Sequence, residues 1–184
     1  MSTAREHDEE LCYYTLAHAD PRFIHQHVVD AHQAQSADGR TKPITLTFSP
    51  TGLYLHCERE LTGRQVQRAH MELARGARSW PLLPLPAERG AITVAEVVRA
   101  AAGTERDALI HAWCMSLWSA FAVCRPPLIQ WLQSRGYTQP RALIRSAHPY
   151  KRPPHGPRAH RISPRRHGSP AARNAPTPAL RSAA

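Results

Sequence analysis

The chain has 184 residues, 42% hydrophobic and 21% charged, which suffices for one domain with a core; four cysteines and no long apolar run exclude a disulfide scaffold and a helical membrane bundle. Its 24 Lys+Arg against 14 Asp+Glu give a formal charge of +10, but ten of the basic residues and none of the acidic ones lie between Tyr137 and Ala184, leaving 14 of each before them. The basic balance therefore belongs to one end of the chain, and the body is neutral.

The N-terminal stretch from Met1 to Glu10 is acidic and polar, with no apolar segment behind a basic one, so the expectation is a soluble, unsecreted, cytoplasmic protein. A short helix through Leu11–Ala17 comes first. Asp20-Pro21 then open a helix over 23–35, in which Ile24, Val28, Ala31 and Gln35 share one stripe. Residues 42–57 carry conflicting signals. The alternation in Pro43-Ile44-Thr45-Leu46-Thr47-Phe48 reads as a strand, which Ser49-Pro50-Thr51-Gly52 could turn into a hairpin. Ser49-Pro50 also reads as a helix start, followed by Leu53, Cys57 and Leu61 at helical spacing.

Thr62-Gly63-Arg64-Gln65 is a capping box ahead of an amphipathic helix through Val66, Ala69, His70 and Leu73 that ends near Gly76. The prolines at 81, 84 and 86 require an extended connection. Thr93-Val94-Ala95-Glu96 is a second capping box, opening a helix to Ala102 that Gly103 stops. Glu105–Val123 is apolar almost all round and predicts a buried central helix, with Trp113 and Trp118 in the core. Pro126-Pro127 begin a last helix reaching Arg135-Gly136. The fold class is all-α: a single bundle of about six helices over 1–138. Residues 139–184 hold nine of the 17 prolines with Arg, Ala, Ser and His, a composition that predicts a disordered basic tail. The tail reads either as a passive extension or as an arm whose candidate partner is nucleic acid, held through phosphate contacts.

No C-x-x-C, H-E-x-x-H, G-x-S-x-G, P-loop or Rossmann glycine pattern is present. Histidine carries what chemistry there is, with His18, His25, His27, His32, His56, His70 and His111 in the body. His27 and Asp30, at i and i+3, can present an imidazole and a carboxylate from one helix face. His70 lies on the apolar stripe of the 62–76 helix, where an unpartnered imidazole is costly. His27, Asp30 and His70 are therefore the candidate ligands of a divalent metal such as zinc, with His25 as a substitute and Glu58 as acceptor for a free ring nitrogen. The bland account is a hydrogen-bonded core His70 with solvated histidines at 25, 27 and 32, and a non-catalytic interaction module. Glu58 and Glu60 read as a solvated face, and the cysteines as reduced core thiols.

The ordered blocks Tyr14-Thr15-Leu16, Phe23 through Ala31 to Gln35, Lys42-Pro43-Ile44, Gly52-Leu53-Tyr54-Leu55, Gly63 through Met71, Trp80-Pro81 and Trp113 to Phe121 resemble an uncharacterised bacterial family of unknown function over about residues 11–133. The resemblance implies a small, mainly helical, cytosolic protein and favours a helix over 50–60. It implies no activity, cofactor or catalytic residue. His32 stands where that family would have an aromatic residue, and Ser49-Pro50-Thr51 interrupt an apolar run.

Overall fold

The computed structural model describes residues 3–18, 20–76 and 79–137. Among them there are seven α-helices and no strand: α1 (Ala4–Ala17), α2 (His25–Ser36), α3 (Pro43–Cys57), α4 (Gly63–Gly76), α5 (Val94–Arg99), α6 (Thr104–Ala120) and α7 (Arg125–Ser134), with a 3-10 turn (Phe121–Cys124) joining the last two. The all-α expectation holds, and counting Thr104–Ser134 as one continuous rod returns the expected six. That rod is long and apolar enough to cross a membrane by length and composition. In the bundle, however, its Ile110, Trp113, Leu117, Phe121, Leu128 and Leu132 are buried. The tail expected to be disordered, residues 139–184, lies outside the described residues.

Local chemistry explains the boundaries. The first helix starts at Ala4, seven residues before the expected Leu11, because Thr3 and Glu6 form a capping box: Glu6 N–H donates to Thr3 Oγ1 and Thr3 N–H to the Glu6 carboxylate. The boxes read at Thr62 and Thr93 are formed as expected, although α5 stops at Arg99, short of Ala102. Residues 81–92 run without a helix.

The largest correction is α3, which is one helix from Pro43 rather than a hairpin or a helix begun at Ser49-Pro50. The period-2 Thr pattern is absorbed by hydroxyls that turn back on their own helix: Thr47, Ser49 and Thr51 donate to the carbonyls of Pro43, Thr45 and Thr47 at 2.8, 3.0 and 2.7 Å. All three are fully buried, so the helix conceals polar side chains that otherwise resemble a strand face. Pro50 lies inside this helix and removes one backbone donor from it.

The hub of the bundle is α2, which packs against α1, α3, α4 and α6, although the apolar α6 was the expected centre. Its Ala31 and Ala34 are fully buried, and Gly52 of α3 leaves room for its Asp30. Gln35, at the end of the α2 stripe, donates to the Ile92 carbonyl (2.8 Å) and accepts from Val94 N–H (3.1 Å), tying the proline-rich connection to α2.

Tyr137 closes the described chain. Its hydroxyl donates to Glu72 at 3.0 Å and its N–H to the Leu132 carbonyl. A chain truncated after residue 138 keeps these bonds and is expected to melt within about 2 °C of the full chain, as a surface change should. Truncation after Gly136 should lower the melting temperature measurably, and circular dichroism melts of the two chains check both outcomes.

Candidate functional site

Two residues one turn apart on α2, His27 and Asp30, are buried at 5% and 1% exposure. They face different neighbours. Asp30 points to α3 and α4: Gln26 Nε2 donates to its Oδ1 at 3.2 Å, the Oδ1 lies 3.8 Å from His70 Nδ1, and the carboxylate presses on Gly52 where any Cβ would collide with it. His70 is held on α4 with its ring against Phe48, centroids 4.9 Å apart.

At 3.8 Å the Asp30–His70 pair is too long for a hydrogen bond. Burial pushes the Asp30 carboxyl well above the usual carboxylate range, opposed by the Gln26 amide. Burial also pushes His70 down to about 4, opposed by a hydrogen bond to the Phe48 backbone. Neither group offsets the other's desolvation, so at neutral pH this is a neutral imidazole beside a carboxyl that resists ionisation. Asp30 Oδ2, His70 Nε2 and His27 Nδ1 are all buried without a hydrogen-bond partner. Each carries or can carry a lone pair, and orphaned buried acceptors are uncommon.

His27 turns the other way, toward α3 and α6. Its ring stacks on His56 (centroids 3.7 Å, interplanar 22°), and His56 meets His111 edge-on (5.2 Å, 89°), with His111 Nδ1 3.2 Å from His56 Nε2. Burial, then the charges of His56 and His111, push His27 down to about 3 against a small opposing pull from Asp20; burial and His111 push His56 to about 4. The structure thus brings together Asp30 and His70 of the expected trio, and joins His27 to a different set. Among the described residues no group of three or more His, Cys, Asp or Glu is placed to hold a metal ion.

His25 is directed at α1, where its Nδ1 lies 2.9 Å from Thr15 Oγ1. His32 pairs with Asp8 at 2.7 Å. Glu58 is not an acceptor for either imidazole: it takes Arg125 through two bonds of 2.6 and 2.8 Å and Trp118 Nε1–H at 2.9 Å, clamping the end of α3 to the α6–α7 rod. Trp113 and Trp118 are core residues as expected, and all four cysteines are free thiols. The His56–His111 contact was missed because its partners lie 55 positions apart on different helices, and no local pattern links them.

Comparison with known proteins adds one match. A family model described as a family of unknown function, DUF5946, matches residues 5–122, covering α1 to α6 and both histidine sets. No curated protein and no solved structure matches the chain.

Proposed function

The chain belongs to the DUF5946 family, whose function is unknown, and from its buried polar centre we propose that it binds a divalent metal ion, such as zinc, through Asp30 and His70. The observation that carries this reading is the Asp30–His70 pair itself: the facing atoms, Oδ1 and Nδ1, lie 3.8 Å apart, and the other oxygen and nitrogen of the pair, Oδ2 and Nε2, are buried without a partner. A cation reverses what burial does to Asp30 and uses what burial does to His70. It favours the ionised carboxylate and requires the imidazole lone pair that a depressed proton affinity keeps free. Water would complete the coordination, because His27, one turn away on α2, faces His56 instead. Binding releases the Asp30 proton, so affinity rises with pH.

Burial disfavours the Asp30 anion at a cost in stability above neutral pH, which a bound cation would offset. In metal-free protein at about pH 8, Asp30→Asn keeps the shape and removes the buried carboxyl, and is expected to melt above the parent. Added Zn2+ should raise the melting temperature of EDTA-treated, untagged parent, because a ligand of the native state stabilises it by mass action. Asp30→Asn and His70→Gln should diminish that rise, with zinc binding at this pair weakened on the order of tenfold or more by calorimetry. A zinc-induced rise that is undiminished in both variants removes Asp30 and His70 as ligands.

A second reading, a non-catalytic interaction module in which the polar centre only specifies packing, is favoured by the lack of a three-ligand group among the described residues. It predicts that Asp30→Asn destabilises the metal-free protein and that Zn2+ leaves the parent's melting unchanged.

A further inference from the structure

The histidine set that sequence spacing could not anticipate has its own chemistry. His56 on α3 and His111 on α6 approach nitrogen to nitrogen at 3.2 Å, at the solvent end of a ladder whose inner rung is His27. Two features orient His56 for ligation. Its ring stacks on the His27 face, and the Leu61 backbone favours a proton on it. Since Nε2 is the atom that meets His111, the Leu61 contact falls to Nδ1. An imidazole whose Nδ1–H is held by a carbonyl presents Nε2 as a lone pair, the arrangement metal-binding histidines use. In the metal-free protein the 3.2 Å contact is a hydrogen bond, with the proton on one of the two nitrogens; His111 is exposed, so metal binding can shift its ring proton to Nε2 in solvent and free Nδ1.

We propose that His56 Nε2 and His111 Nδ1 form a two-imidazole chelate for a divalent transition-metal ion taken from solution, separate from the Asp30–His70 pair. Metal–nitrogen bonds of about 2.0–2.1 Å place two ligand nitrogens about 2.9 Å apart at a right angle and about 3.4 Å apart in a tetrahedron, and the observed 3.2 Å falls between. Imidazole donors suit Zn2+, Ni2+ and Cu2+ rather than Mg2+ or Ca2+. The two side chains come from different helices, so a bound ion also cross-links α3 to α6, and solvent supplies the remaining ligands.

The test uses the full chain without a tag, EDTA-treated and titrated with Ni2+ at about pH 7.5. Because other histidines of the chain also take Ni2+, the readout is the difference between parent and His111→Ala, whose exposed site should leave the fold intact. His111→Ala is expected to lose the tightest class of Ni2+ binding, at least about tenfold in affinity, since a chelate becomes a single ligand. In the parent, paramagnetic Ni2+ should broaden the ring-proton NMR signals of His56 and His111 together at substoichiometric metal. Equal Ni2+ affinity in parent and His111→Ala overturns the proposal, as does broadening that spares His56. The Asp30→Asn variant separates the two sites: it should leave this binding unchanged, whatever becomes of the inner pair.

Discussion

Acidifying the metal-free protein from about pH 6.5 to about pH 4.5 is expected to lower its unfolding free energy by about 2–4 kcal/mol, at about 1.4 kcal/mol per proton per pH unit. His27 is held at about 3, and His56 and His70 at about 4, all chiefly by burial. Below pH 6.5 the unfolded chain takes up these protons and the folded chain does not, so stability is lost as pH falls through this window. Asp30 acts with the opposite sign: its raised folded value means that the native state holds a proton the unfolded carboxyl has released, so its contribution weakens the fold as pH rises. The two most buried histidines outweigh this one carboxyl. His56, half-buried, adds a smaller share because solvent screens it.

Urea denaturation followed by circular dichroism at intervals of pH checks the slope. Asp30→Asn removes the opposing proton and should steepen the acid loss while raising stability at about pH 8. A stability curve that is flat, or that rises toward pH 4.5, would show that these histidines are not held neutral in the folded state.

Gly63→Ala is expected to cost about 3 kcal/mol or more, the scale of overpacking against backbone that cannot move. Gly63 opens α4, and a Cβ there would run into the Phe23 carbonyl. That carbonyl is not free to retreat. It accepts the Gln26 N–H at 3.2 Å, Phe23 already sits at a positive φ of 58°, and the loop is gripped on both sides. Asp20 accepts from Arg22 and Ile24 N–H within the loop, and Arg64 donates to the Pro21 carbonyl at 3.2 Å while covering the Phe23 ring. Displacing α4 would also move His70 away from Asp30, so the variant should lose zinc-dependent stabilisation together with stability. Gly76→Ala, at the other end of the same helix with nothing near the added carbon, is the control. It should change stability by less than about 1 kcal/mol, in the favourable direction, through the unfolded chain's lost freedom. Equal melting of the two variants would mean that the 20–24 loop yields.

What the sequence alone determined are the features that short-range chemistry dictates. The capping boxes at Thr62 and Thr93 need only residues three apart, the stripe of Val66, Ala69 and Leu73 needs only the helical period, and the prolines between 81 and 86 exclude a helix by themselves. Even the two misread segments were locally encoded: the Thr3–Glu6 box was hidden in an acidic run, and α3 was obscured because back-bonded hydroxyls make a buried helix look like an alternating strand. Asp30 and His70 stood out as candidates because an i, i+3 pair shares one helix face and because an imidazole on an apolar stripe is costly without a partner.

Tertiary structure alone decided which costly groups meet. Gly52 lets α2 and α3 close on one another, with Asp30 turned toward α4 and His27 toward α6. That same closure set His56 against His111 and gave Glu58 to Arg125 rather than to a histidine. Contacts between residues 55 and 67 positions apart leave no periodic trace in a chain, because they depend on how close two helix axes come, and that distance is set by the smallest side chains between them.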